Sequence, residues 1–216
     1  MIDEKVVATI KAHGTFRDSG EGRSRVLSDI GFSMNEKAEY VLIGGCLLPE
    51  DMPHVFQALK DVFDRLKIDY TMLAKEYCCG WVPFGQPAVM SKNESDIARA
   101  KNLGKEFILK NFRQAEALGA RSIVLFCAAC DANYSNYRET TKLEIISFIE
   151  LIDRHLKGAK LDASIDYYPG CYRFRRRITA EPLNIEPAER VLKKIVGLKV
   201  NKVDTSLCCF IPPHLE

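Results

Sequence analysis

The placing of the cysteines constrains this chain more than any other feature. Cys46, the pair Cys78-Cys79 followed by Gly80, and Cys127-Ala128-Ala129-Cys130 form one series; Cys171 and the pair Cys208-Cys209 begin the same series again. Thiols repeated in matching order point to a metal–thiolate framework rather than to incidental buried cysteines. Each group also follows a short β-branched or aromatic run: Tyr40 to Ile43, Ile68 to Leu73, Ser122 to Phe126, Ile165 to Tyr168 and Leu198 to Val203. Such runs, alternating with helix-period segments, predict an α/β fold of short parallel sheets flanked by helices. In a parallel sheet the carboxyl ends of the strands share one edge, where ligands bind, so the cysteines are expected to converge there.

Between these runs the apolar periodicity predicts helices. After Pro53, residues Val55, Phe56, Leu59, Val62, Phe63 and Leu66 recur at helical spacing as core positions, with Asp51 as the cap. A longer helix from Asp96 to Leu118 turns Ile97, Leu103, Phe107 and Leu118 inward and stops at Gly119. Leu143 to Leu156 begins as strand and ends as helix, and Pro187 to Val196 is helical. Lys75 and Glu76 read as solvent-facing. Residues 1–39 read as an N-terminal extension with one short strand or helix near Lys5 to Lys11 that covers an edge or meets a partner.

Composition narrows the function. A chain of 216 residues with 47% hydrophobic content can bury one ordinary core or two small ones. Its 31 basic and 29 acidic side chains leave a net charge of +2, so no general attraction to nucleic acid or an anionic membrane is expected. Arg173, Arg175, Arg176 and Arg177 are a local exception, either a solvated face or a docking patch for an acidic partner or anionic substrate. The opening residues lack a basic-then-apolar leader, and no apolar stretch approaches the ~20 residues of a membrane span, so a cytoplasmic location is expected. Eight cysteines fall below the density of a secreted disulfide scaffold, and cytoplasmic thiols stay reduced. His13, His54, His155 and His214 are scattered, and His214 alone lies near cysteines.

A structural zinc site or an iron–sulfur cube takes four thiolates, so five in one series leave one over. The spare thiol could be a non-ligand. Adjacent Cys78 and Cys79, however, diverge from a single tetrahedral ion and suit a larger group with several irons, while Gly80 lets the backbone approach it with positive φ. Cys127-Ala-Ala-Cys130 alone is also the spacing of a thioredoxin-like redox pair, though here it comes third in a series. Tyr77, Trp81 and Phe84 bracket the pair, where they pack or shield a cluster from water.

The order Cys, Cys-Cys-Gly, Cys-x-x-Cys, begun twice, resembles the cysteine-rich CCG domain of the heterodisulfide reductase B subunit and its relatives. Glu76-Tyr77-Cys78-Cys79-Gly80, Phe126-Cys127-Ala128-Ala129-Cys130 and Tyr167-Tyr168-Pro169-Gly170-Cys171 carry the likeness. The resemblance implies two similar lobes, the second incomplete: residues 40–160 as a first CCG domain and 161–216 as a second, truncated or degenerate one. It implies that Cys46, Cys78, Cys79, Cys127 and Cys130 ligate a noncubane [4Fe-4S] cluster and through it carry catalysis. Cys171, Cys208 and Cys209 would offer a partial second site, holding no metal, a three-ligand cluster, or a zinc ion completed by a residue such as His214. The implied activity is that of an oxidoreductase subunit in thiol/disulfide reduction or related electron transfer. Its implied partners are a ferredoxin-like iron–sulfur subunit of the C type, a flavin-containing subunit of the A type, and a disulfide or thiol substrate. The interval from Cys79 to Cys127 exceeds the family's, so Trp81 to Glu94, with Pro83, Gly85 and Pro87, reads as an inserted loop over the site. Phe210 stands where the family has a second glycine. The alternative reading is an assembly or structural subunit in which zinc holds the fold.

Overall fold

In the computed structural model, residues 2–17, 20–170 and 184–203 are described. Four short strands, β1 (Tyr40–Ile43), β2 (Tyr70–Met72), β3 (Ser122–Leu125) and β4 (Glu144–Ser147), form one sheet in the order β2-β1-β3-β4. All three pairings are parallel, with Tyr40 opposite both Tyr70 and Ser122, and Ser122 opposite Glu144. The order means that the chain leaves β1 toward one side and returns to its other side at β3. The crevice between the carboxyl ends of β1 and β3 is therefore a topological switch point.

The strands are apolar on both faces, as a sheet covered by helices on both sides requires. Tyr40 and Leu42 of β1 and Val124 of β3 face a core with Phe56, Leu59, Phe63, Leu151 and Ile152. Those side chains come from two helices that are α4 (Pro53–Arg65) and α8 (Phe148–His155) in chain order. Val41, Ile43, Ile123 and Leu125 face the opposite core with Ile108, Phe112, Ala115 and Tyr134, supplied by α6 (Glu94–Ala117) and α7 (Ala128–Tyr134). Period two in the strands meets period 3.6 in the helices on each side. Of the expected stripe on α4, Phe56, Leu59 and Phe63 are buried, but Val62 is exposed, because the stripe that the sheet covers is narrower than the apolar pattern.

A third core caps the cysteine edge. It joins Val7 and Ile10 of α1 (Glu4–His13) to Cys78, Phe84, Ala88, Ala100 and Phe107. Among the described residues of the first 39 there are two helices rather than one element, the second being α2 (Glu21–Ile30), whose Leu27 is fully buried. A one-turn helix, α3 (Leu48–Asp51), follows β1. Asp51 does not cap α4; it closes α3 and accepts a 2.6 Å bond from Arg17. The segment expected as an inserted loop is helical: a π-helical turn over Trp81–Gly85 runs into α5 (Gln86–Ser91). Pro83 falls in the first turn of this run, where a missing N–H has no helical partner to lose, and Pro87 sits where the π-helical turn passes into α5.

Beyond α8 a separate two-stranded parallel sheet pairs β5 (Ala159–Tyr167) with β6 (Ile195–Lys202) through α9 (Glu186–Lys193). Both strands begin earlier than the apolar runs suggest, since most of their residues are exposed and the pattern there is polar. Val191 of α9 enters the core beneath α4 and α8. Arg190 and Lys194 reach Asp153 of α8 at 2.7 Å each. Among the described residues no helix is long and apolar enough to cross a membrane.

Candidate functional site

Cys46 lies three positions beyond β1 and Cys127 two beyond β3, so both leave the sheet at the switch point. Gly45, with φ +90°, turns the first loop inward, and a Cβ placed there would lie 3.1 Å from the Cβ of Cys127. The two loops touch. Cys79 and Cys130 meet in the core against α6, and Cys46 sits with Cys78 in the capping core. Gly80 takes φ +79°, the left-handed conformation expected after the pair.

The five sulfurs form a string. Cys46 Sγ lies 3.3 Å from Cys78 Sγ; Cys78 contacts Cys79, Cys79 contacts Cys130, and Cys130 contacts Cys127. All five are free thiols, with Cys78, Cys79 and Cys130 buried. Among the described residues, no three His, Cys, Asp or Glu side chains gather as ligands of one metal ion. The donor set is all sulfur, and each thiol touches at least one other of the five. Crowding divides the thiols. Contact with Cys46 pushes the Cys78 thiol well up, and contact with Cys127 does the same to Cys130. Contact with Cys130 holds Cys79 well below the ordinary thiol value and lowers Cys127, with the Ala129 and Cys130 amides helping at Cys127.

Behind the sulfurs is a polar support that the sequence reading placed wrongly. Glu76 is not solvent-facing but buried. Its carboxylate accepts bonds from Gly44 N at 3.0 Å, Gly45 N at 2.8 Å and Arg23 Nη2 at 2.7 Å. Arg23, also buried, donates from Nη1 to Leu73 O at 2.9 Å. Burial pushes the Glu76 carboxyl up, and Arg23 with the two glycine amides opposes that rise. One carboxylate thus ties the loop that carries Cys46 to the segment that carries Cys78.

Asn111 on α6 clamps the same segment from the other side. Its Oδ1 accepts from Tyr77 N at 2.8 Å, while its Nδ2 donates to Tyr77 O at 2.7 Å and to Tyr134 Oη at 2.6 Å. Cys78 N donates to Gly14 O at 2.7 Å, so the N-terminal segment fixes the pair as well. Tyr77 stacks on Phe107 with centroids 6.2 Å apart, and Lys75 and Lys110 lie over its ring. Glu76 and Asn111 escaped the sequence reading because their partners lie 53 and 34 positions away. The placing of Glu76 two residues before a thiol was the available signal.

Cys171, Cys208, Cys209, His214 and the arginine cluster 173–177 lie outside the described residues. His13, His54 and His155 do not reach the thiols in any group of potential ligands.

Residues 40–134 match the CCG family, a cysteine-rich domain. The CCG match runs from the first residue of β1 to the last of α7 and contains all five thiols. The D subunit of dihydromethanophenazine:CoB–CoM heterodisulfide reductase from Methanosarcina acetivorans is 27% identical over 183 residues, covering 78% of this chain. The chain spans 41% of that relative's length. The expected likeness to a B subunit is therefore met at the level of heterodisulfide reductase subunits, with a D subunit as the matched relative. No solved structure matches the chain.

Proposed function

We propose that Cys46, Cys78, Cys79, Cys127 and Cys130 hold a [4Fe-4S] cluster of the noncubane type, and that the chain is a redox subunit in thiol/disulfide reduction or related electron transfer. The string of five thiols across the switch point carries this reading. Soft thiolate donors suit iron–sulfur centres, and five contacting sulfurs are more than one tetrahedral metal ion takes. When bound, such a group supplies one-electron transfer. The protein's own part is to orient the sulfurs and keep water away. Glu76 and Asn111 hold the two ligand loops, and Gly80 N donates to Cys78 Sγ at 3.4 Å. Hydrogen bonds of that kind to ligand sulfurs are among the levers that set a cluster's potential.

On this reading residues 40–160 form the first CCG domain and 161–216 belong to a second one, with Cys171, Cys208 and Cys209 as a site for iron or zinc. The partners are a ferredoxin-like subunit and a flavin-containing subunit, in the cytoplasm, and the substrate is a disulfide or thiol. Matching a D subunit of a heterodisulfide reductase supports an oxidoreductase assembly. Iron and sulfide analysis with EPR on oxygen-free protein tests the proposal. About four irons per chain are expected, and Cys79→Ser is expected to lose most of them while an exposed change such as Met90→Ser loses none. A colourless zinc protein, or full iron in the Cys79→Ser variant, overturns it.

A further inference from the structure

A cavity of about 500 Å³ opens beside Cys79 under the helical segment of residues 81–91. Its apolar wall is built from Trp81, Val89, Ile97 and Ile108. Its polar side holds Lys101, Asn133, Asn136 and Tyr137. The volume lies within the range that takes organic ligands, and an apolar wall with a few polar groups is how such sites are built. Lys101 is the one cationic side chain lining it and no Asp or Glu does, while the Cys79 thiol is the other ionisable group there. Among the described residues Lys101 makes no ion pair, and the Tyr137 hydroxyl donates to its carbonyl at 3.3 Å, tying that side of the cavity together. Asn133 and Asn136 each use one amide hydrogen on a carbonyl of their own helical segment, at 2.7 and 3.3 Å. An amide has two, so each keeps a second donor.

We propose that this cavity binds a small monocarboxylate with an apolar, ring-sized body. The body lies against Trp81 and Ile108, and the carboxylate meets Lys101 and the asparagine amides. The donors decide the class: Lys101 and the second amide hydrogens of Asn133 and Asn136 offer three donors to one anionic head, and no Asp or Glu lines the cavity to compete for them. The inference goes beyond the redox reading, because Lys101, Asn133 and Asn136, which would hold the carboxylate, are not among the five thiols.

Trp81 is the only tryptophan in the chain, so its emission reports on the cavity directly. The probes are 4-phenylbutanoate and 4-phenylbutylamine, which share a body and differ in charge, titrated into the oxygen-free full chain by fluorescence and calorimetry. The carboxylate is expected to give a saturable change and to bind at least about tenfold more tightly than the amine. Lys101→Ala is expected to weaken the carboxylate about tenfold without weakening the amine, and Ile97→Phe, which fills the space, to weaken both. No saturable carboxylate binding, equal binding of the two probes, or unchanged affinity in Lys101→Ala overturns the proposal. Iron is measured on the same samples. Iron without carboxylate binding sinks the cavity alone, and carboxylate binding without iron sinks the cluster reading alone.

Discussion

Glu76 shows how much of the site rests on a residue that is not a ligand. Its carboxylate meets a buried guanidinium and two backbone amides of the Cys46 loop. Removing one partner of a buried ion pair leaves an uncompensated charge, at a cost of about 3–5 kcal/mol. Glu76→Gln is therefore expected to lose about that much stability in urea unfolding. The double change Arg23→Met with Glu76→Met removes both charges and is expected to lose less than the single change. It still leaves Gly44 N and Gly45 N without an acceptor, so the Cys46 loop should remain loose and iron content low even where the fold recovers. Full iron in the double variant would mean that the carboxylate does not position that loop. Such a role was not legible in the sequence. A glutamate between Lys75 and Tyr77 looks like any surface acid until Arg23, far off in the chain, is packed against it.

At the scale of the elements, the sequence was most legible where one rule decided the outcome. The cysteines converge because a parallel sheet puts strand ends on one edge, and short apolar strands are easy to see. The segment after Cys79 was not legible as helix because its prolines and glycine signal a loop, whereas they fall in the first turn and at the π-to-α junction of one helical run. On α4 the periodicity gave the helix correctly but overstated its buried stripe. This has a measurable consequence. Phe56 is fully buried, with its ring 4.9 Å from that of Phe126 next to Cys127. Phe56→Ala is expected to cost about 3–5 kcal/mol by thermal or urea unfolding, while Val62→Ala, on the exposed side of the same helix, should cost under about 1 kcal/mol. Equal losses at the two positions would put α4 in the wrong rotation.

Across the whole molecule, the four-stranded and two-stranded sheets meet through α8 and α9. Val191 enters the larger core, and Asp153 gathers Lys194 and Arg190. Those two cations, Lys194 first, hold the Asp153 carboxyl below its usual range. A carboxylate whose value is lower in the fold than in the open chain stabilises the ionised, docked form. That contribution is fully present above about pH 4, the ordinary aspartate value, and fades as pH falls through the lower value in the fold. Hydrogen exchange can separate this junction from the rest, because local opening of α9 and β6 need not disturb α6. Asp153→Asn at neutral pH is expected to speed amide exchange over residues 186–202 and to leave residues 94–117 unchanged, and the wild-type chain should show the same contrast as pH falls below about 4. Faster exchange across α6 as well would mean that the two sheets open as one cooperative unit, and that the Asp153 contacts do not mark a boundary between them.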